Sequence, residues 1–222
     1  MKIFMTAIIA LGLAGTAASE TSPAPKPWNV TDGAVIDFTV LRKGKPFGQH
    51  VLSFDKTEDG QIKVTTDVDL TVKFGPITAF KYRLDAQETW ANGALIALNG
   101  ATNNDGDKST VEAKVNGDVL EVDGTDYQGN VEASIIPSSH WNRLQVYGEQ
   151  MLSTESGEIL DIAVENLGAD TVLVGGEPVE ATHYRLQSDM TVDLWYDDQS
   201  RWVKLTFDAR GQTIEYVLNA LY

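Results

Sequence analysis

The sequence predicts an all-β protein, in which a curved antiparallel sheet of about ten to twelve strands forms a barrel or half-barrel. Polar and apolar residues alternate along many short stretches. Turn sequences separate these stretches roughly every 8–14 residues, a spacing typical of a meander of hairpins rather than of alternating strands and helices. Only residues 138–151 lack the alternation, and we expect this segment to be irregular or helical.

The clearest predicted strand spans residues 62–74. Successive side chains of a strand point to opposite faces of the sheet. Its apolar side chains therefore share one face, which meets a core or a cavity, and its polar side chains share the other, which meets water. The apolar face holds Val64, Val68, Leu70, Val72 and Phe74, and the polar face holds Lys63, Thr65, Asp67, Asp69, Thr71 and Lys73.

Tight hairpin turns are expected where pairs such as Asn92-Gly93 and Asn116-Gly117 interrupt the strands, because these residues tolerate a positive φ. No repeat or internal linker divides residues 34–222, which we interpret as one domain. Residues 20–33 contain three of the seven prolines and are predicted to form an extended linker.

The segment after Pro137 is predicted to hold the main non-β element. Pro137 and Ser138 are residues that open helices, and Ser138 or Ser139 is the expected N-cap of a short helix. Trp141 and Leu144 would then pack against the sheet.

Residues 1–19 resemble a secretory signal peptide. Lys2 precedes an uncharged, largely apolar run, and small residues end at Ser19. We expect cleavage between Ser19 and Glu20, which predicts a periplasmic or secreted protein. The apolar run is shorter than the roughly 20 residues that a membrane-spanning helix needs.

Composition excludes several classes of function. The chain has a net charge of −15, which disfavours binding to nucleic acid. It contains no cysteine, which excludes disulfides, thiol catalysis and a cysteine-linked lipid anchor. No later stretch is long and apolar enough to predict a transmembrane helix. We expect no cofactor and no metal site. His50 and His183 are both predicted to point inward, but nothing in the pattern brings the histidines together.

Two segments carry the candidate site residues. Ser138-Ser139-His140 suggests a hydrolase-like enzyme with Asp197 orienting His140, although no oxyanion hole is apparent. Residues 194–207 predict a hairpin rich in aromatic side chains. Its aromatic residues either cap the core or line the mouth of a ligand site, where Arg201 can stack on a ring. The candidate ligand-binding residues are His140, Trp141, Trp195, Tyr196, Asp197, Arg201 and Trp202.

These motifs resemble a family of exported proteobacterial β-domains. The resemblance is carried by the segments Ser139-His140-Trp141-Asn142, Gly175-Gly176-Glu177, Ala181-Thr182-His183-Tyr184, Leu194-Trp195-Tyr196-Asp197 and Arg201-Trp202-Val203-Lys204. It implies a curved antiparallel sheet around a central element and implies no activity. More loosely, the layout is similar to LolA-like half-barrel carriers, which implies a hydrophobic ligand by analogy of fold alone.

Three functions therefore remain open at this level. The first is a periplasmic β-domain that binds an apolar small molecule or an envelope protein. The second is an outer-membrane β-barrel, suggested by the alternation from Ile214 to the terminal Tyr222 but opposed by Glu88, which would face lipid. The third is the enzyme that uses His140 and Asp197. The oligomeric state is undetermined.

Overall fold

The computed structural model describes residues 27–222 and consists almost entirely of β-strands. The predicted signal peptide and most of the predicted linker lie outside the described residues. Thirteen strands form the main sheet: β1 (Val35–Arg42), β2 (Lys45–Lys56), β3 (Ile62–Phe74), β4 (Ile77–Ala91), β5 (Ala94–Asn104), β6 (Asp107–Asn116), β7 (Val119–Gly124), β8 (Gln128–Glu132), β12 (Ala163–Val174), β13 (Glu177–Gln187), β14 (Thr191–Asp197), β15 (Trp202–Ala209) and β16 (Gln212–Leu218).

The main sheet is antiparallel and open. Its strand order is β12-β13-β14-β15-β16-β1-β2-β3-β4-β5-β6-β7-β8, so that β12 and β8 form the two edges. Consecutive strands are neighbours except at the junction of β16 with β1, which joins the two ends of the chain in register from Phe38 opposite Leu218 to Arg42 opposite Ile214. The predicted fold class is confirmed as a half-barrel, with one strand more in its sheet than expected.

The alternation predicted for residues 62–74 sets the two faces of the sheet. Val64, Val68 and Leu70 are buried on the concave face. Lys63 and Thr65 lie on the outer face and are exposed. An outer-membrane barrel presents apolar side chains outward, so this polarity is the inverse of what the second hypothesis requires.

A strap, defined as residues 138–157, crosses the concave face of the half-barrel. It contains a 3-10 helix (Arg143–Tyr147) and strand β10 (Gln150–Leu152), which pairs with β9 (Ile136–Pro137) and β11 (Ile159–Asp161) in a small second sheet. The backbone of the strap runs so close to the main sheet that a Cβ at Gly100 would lie 2.3 Å from the carbonyl oxygen of Thr154. Glycine is therefore required at this crossing.

The N-cap of the helix in the strap differs from the prediction. Asn142 is the cap, and its side-chain oxygen accepts a hydrogen bond from the backbone N–H of Leu144 at 3.1 Å. Ser138 does not cap the helix, because the helix begins only at Arg143; its hydroxyl instead accepts a hydrogen bond from the backbone N–H of Thr154 at 3.1 Å. Ser138 thus ties the two ends of the strap together.

The core begins before residue 34. Trp28 and Val30, which the sequence places in a linker, are buried in the structure. The ring of Trp28 packs edge-on against Phe54, with ring centroids 5.0 Å apart, and against Tyr222 at 4.7 Å. The end of the predicted linker therefore packs into the domain. Among residues 27–222, no helix has the length and apolar character to cross a membrane.

Candidate ligand cavity

A cavity of about 640 Å³ lies between the strap and the concave face of the sheet. Its volume falls within the roughly 300–1,000 Å³ of small-molecule sites. Most of its wall is aliphatic or aromatic and comes from strands β2, β3, β4, β13, β14, β15 and β16. The lining includes Val68, Leu70, Leu84, Val192, Leu205 and Ile214.

His50 is one of the polar groups in this largely apolar wall. Its side chain is buried, and neither ring nitrogen has a hydrogen-bond partner among the described residues. Burial, together with nearby His140, lowers the pKa of the His50 imidazole to about 3. The ring is therefore neutral at ordinary pH and offers one donor and one acceptor without partners.

His140 contributes the second imidazole of the cavity wall and is fixed by the strap. Its backbone has a left-handed φ of 64°, and its carbonyl oxygen accepts a hydrogen bond of 2.7 Å from the Tyr196 hydroxyl. The ring Nδ1 lies 3.1 Å from Oε1 of Gln145. Burial lowers the pKa of His140 to about 4, so this imidazole is neutral as well.

A carboxyl group also reaches the cavity wall. Burial raises the pKa of the Glu155 carboxyl above its usual value, and the hydroxyl of Tyr82 hydrogen-bonds to it. Both side chains line the cavity. Burial therefore favours the uncharged form of each titratable group in this part of the wall.

The mouth of the cavity carries two arginines. Arg42 donates a hydrogen bond from its Nε to Oε1 of Gln212. Arg210 lies on the turn between β15 and β16, and its guanidinium carbon is 5.4 Å from the ring centroid of Phe80 on β4. Arg42, Gln212, Phe80 and Arg210 all line the cavity.

The opposite end of the half-barrel is closed by packed aromatic rings. Trp141 packs edge-on against Trp90 at 5.2 Å and against Phe54 at 5.4 Å. The indole N–H groups of Trp90 and Trp141 both donate to Oε2 of Glu88, at 2.7 and 3.0 Å. Glu88 is fully buried, and burial raises the pKa of its carboxyl. The residue that argued against a membrane barrel thus faces the core.

Trp202 and Tyr196 form the boundary between the packed end and the strap. Trp202 is fully buried, and its ring lies 4.4 Å from Phe38 and 5.6 Å from His140. The Tyr196 hydroxyl bonds to the strap as described above. Both aromatic side chains act as core residues, which agrees with the alternative that the aromatics of the hairpin cap the core.

Arg143 anchors the strap to the hairpin and was missed by the sequence analysis. Its guanidinium donates to the hydroxyl of Tyr184 at 2.7 Å and lies 5.4 Å from the centroid of the same ring. It also donates to the carbonyl oxygen of Asp197 at 3.4 Å. A buried arginine in a short irregular segment carries no sequence signal, because its partners come from distant strands.

Asp197 caps the turn between β14 and β15. Its Oδ1 accepts hydrogen bonds from the backbone N–H groups of Gln199 and Arg201, and its Oδ2 accepts one of 2.6 Å from Nε of Arg201. The Nδ1 of His140 faces Gln145 instead of Asp197. The pairing of Asp197 with His140 that the enzyme hypothesis needs is absent from these contacts.

Trp195 lies on the outer face of the sheet. It stacks on His183 with ring centroids 4.1 Å apart, and its indole N–H donates to Asp170 at 2.8 Å. The prediction that His183 points inward is wrong, because Tyr184 and Leu186 occupy the concave face of β13 and His183 alternates with them.

The seven predicted ligand-binding residues therefore separate into four places, and of these seven only His140 lines the cavity. The cavity residues that sequence analysis missed include Tyr82, Glu155 and the two arginines at the mouth. The basic character of the arginines was visible, but nothing in the sequence shows that the two turns meet at one opening. Within the part of the chain that the structure describes, no three potential ligands cluster to hold a metal ion.

The fold and the cavity define an open antiparallel half-barrel with an internal apolar chamber. The chain belongs to the family of the domain of unknown function DUF6134, whose model matches residues 38–219. Its fold is similar to the crystal structure of a beta-barrel-like protein of the domain of unknown function DUF1849 from Brucella abortus. The TM-score is 0.54 at 10% identity, over 84% of this chain and 95% of that chain. No curated protein matches the chain.

Proposed function

We propose that this protein is an exported binding protein that holds an apolar small molecule in the cavity between its half-barrel and its strap. The observation that carries the proposal is the cavity of about 640 Å³ with a largely apolar wall. Protein interiors are normally close-packed, so an unfilled chamber of this size with a largely apolar wall supports a role in binding an apolar molecule.

The unpartnered imidazole of His50 supports the same proposal. A buried polar group without a hydrogen bond costs free energy of roughly 1–3 kcal/mol. A ligand or water in the cavity that bonds to His50 would recover this cost. The export part of the proposal rests on the predicted signal peptide in residues 1–19 alone.

The experiment measures binding of neutral n-alkanols to protein that is expressed from the full chain and purified from the periplasm. The first check is that the intact mass of the purified protein equals that of a chain that begins at Glu20. Each additional methylene buried in an apolar site contributes about 0.8 kcal/mol, which is roughly a fourfold gain in affinity. We expect dissociation constants, obtained by displacement of N-phenyl-1-naphthylamine, to fall by this factor per methylene until the cavity is filled.

Two matched variants locate the site. Val72→Trp places a large ring in the cavity wall, and Thr71→Trp places the same ring on the outer face of the same strand. We expect the first variant to abolish binding of long alkanols and the second to bind like the wild type. A dissociation constant that does not depend on the length of the alkanol, or that is equal in the two variants, would refute the proposal.

A further inference from the structure

We infer that the ligand is a single-chain amphiphile with an anionic head, whose tail fills the cavity and whose head lies between Arg42 and Arg210 at the mouth. This inference rests on the proposed function, because it names the chemistry of the molecule in the same cavity. It is carried by the charge at the mouth and by the position of the two guanidinium groups.

The mouth is basic in a strongly acidic protein. The chain has 32 acidic and 17 basic residues. Strand order places the β15–β16, β1–β2 and β3–β4 turns side by side at one end of the sheet. In these turns and the strand ends beside them, residues 208–212, 42–45 and 73–81, there are six positive charges and the single acidic Asp208. Lys73 and Lys81 lie on the outer face of the sheet, and the carboxylate of Asp105 accepts a hydrogen bond from the backbone N–H of Lys81 at 3.2 Å. We therefore define the basic rim as Arg42, Lys43, Lys45 and Arg210.

The basic rim is local to this side of the opening. Asp105 and Asp107 lie on the β5–β6 turn, and Asp189 precedes β14 at the other flank. Asp208 accepts a hydrogen bond from the hydroxyl of Thr213 at 2.8 Å on the adjacent strand. The positive charge therefore concentrates where the cavity opens between β15 and β4.

Neither arginine of the rim is neutralised by a carboxylate. In residues 27–222, the ion pairs of arginine side chains are those of Arg83, Arg185 and Arg201, all of them away from the mouth. Arg42 contacts the uncharged amide of Gln212, and Arg210 lies near the ring of Phe80. Both retain free N–H groups, since a guanidinium carries five donors.

The geometry matches an amphiphile better than a fully apolar ligand. Arg210 comes from the β15–β16 turn, and its guanidinium, although exposed to solvent, lies 5.4 Å from the ring centroid of Phe80 on β4, at the opening. Below it the wall is mostly apolar down to the neutral His50. An acyl chain would bury its methylenes against this wall, and a carboxylate or phosphate would accept charge-assisted hydrogen bonds from the rim.

The test compares four amphiphiles with the same hexadecyl chain, below their micellar concentrations, on the full-chain protein. They are hexadecanoate, hexadecyl phosphate, hexadecanol and hexadecyltrimethylammonium. We expect the two anions to bind about tenfold more tightly than the alcohol and the cation to bind most weakly. The ratio of the dissociation constants of hexadecanoate and hexadecyl phosphate then shows which head group the site prefers.

Variants of the rim assign the preference to its residues. Arg42→Gln and Arg210→Gln are each expected to reduce the anion-to-alcohol ratio by roughly threefold, because each removes one of the two charges that contact the anionic head. Arg210→Lys should retain part of the preference for the anions over the alcohol, because lysine keeps the positive charge. Arg83→Gln is the matched control, since Arg83 lies on the outer face with Asp67 and Asp85 and should leave the ratio unchanged.

The outcomes separate the two proposals. If none of the four amphiphiles binds, the proposed function itself fails. If hexadecanol binds as tightly as the anions, or if the rim variants leave the anion-to-alcohol ratio unchanged, the cavity remains a ligand site and the inference about the head is overturned. Tightest binding of the ammonium compound would overturn it as well.

Discussion

The two ends of the half-barrel are built from the same strands but are filled in opposite ways. At the packed end, Trp28, Phe54 and Trp141 meet in edge-to-face contacts. At the cavity end, aliphatic side chains such as Leu70 line a space of about 640 Å³. Since both ends show the same alternation of polar and apolar residues, alternation alone does not determine whether a concave face is packed or open.

The strap and the N-terminal segment account for the difference. Trp141 of the strap and Trp28 of the N-terminal segment both insert into the packed end. Across the cavity, the strap contributes no tryptophan, and several of its lining residues are small and polar, including Ser138, Ser153 and Thr154. Tryptophan side chains fill one end, and their absence from the lining of the other end leaves space there.

Truncating one leucine at each end is the strongest test of this comparison. Leu52 is fully buried away from the cavity, whereas Leu70 lines it. Leucine-to-alanine changes cost about 2–5 kcal/mol, depending on the packing that is lost. We expect Leu52→Ala to lower the free energy of unfolding by about 4 kcal/mol and Leu70→Ala by about 2 kcal/mol, because Leu70 already lacks neighbours on one side.

Urea denaturation at pH 7.5 measures both values. Unchanged m-values serve as the control that each variant unfolds from the same compact state. Equal losses in the free energy of unfolding of the two variants would show that the cavity end is packed as tightly as the other end. The contrast between the two ends would then be wrong.

The cavity end should also make the fold sensitive to acid. The folded-state pKa of His50 is about 3, below the 6.5 of an unfolded histidine. A depressed pKa stabilises the fold above pH 6.5, and this contribution is lost as the pH falls from 6.5 towards 3. We expect His50 to cost roughly 1.4 kcal/mol of stability per pH unit in this window, or about 3 kcal/mol by pH 4.

The variant His50→Leu isolates this effect. The raised pKa values of Glu88 and Glu155 oppose the trend, because burial favours their neutral forms as the pH falls. Those two groups, and His140 with its pKa lowered to about 4, are present in both proteins, so the difference in stability between wild type and variant reports on His50. The variant should lose less stability than the wild type between pH 6.5 and 4. If the free energies of unfolding of wild type and variant depend on pH in the same way, the His50 imidazole is not buried in its neutral form.

The smallest expected effect concerns the carboxyl group of the packed end. Glu88→Gln keeps one oxygen that can accept from both indoles, so at pH 5 we expect a change in stability of less than about 1 kcal/mol. Because the raised pKa of Glu88 favours the neutral form, its contribution is present below pH 4.5 and is lost as the pH rises. The variant should therefore be at least as stable as the wild type at pH 8.

Glu88→Ala is the matched control for this prediction. It removes the acceptor and leaves the buried N–H groups of Trp90 and Trp141 without a partner, at a cost of roughly 1–3 kcal/mol for each donor. A large loss of stability for Glu88→Gln at pH 8 would show that the packed end requires a charged carboxylate.

Strand-level features were predictable because they depend on neighbouring residues. The alternation over 62–74 gave the correct faces for β3, and Asn92-Gly93 forms the expected turn with positive φ at both residues, 51° and 79°. Trp202 and Tyr196 were predicted either to cap the core or to line a ligand mouth, and both are core residues. The cap at Asn142 was missed because the helix begins only at Arg143, a start that the local pattern after Pro137 does not show.

By itself, the sequence determined the all-β class, the positions of the hairpins and the polarity of the two faces. These follow from the two-residue period of a strand and from turn residues that tolerate positive φ. Only the tertiary structure decided that β16 pairs with β1, that the strap fills one end, and that Arg42 and Arg210 lie at one opening. Long-range pairing sets these positions, and no local pattern records which turns it brings together.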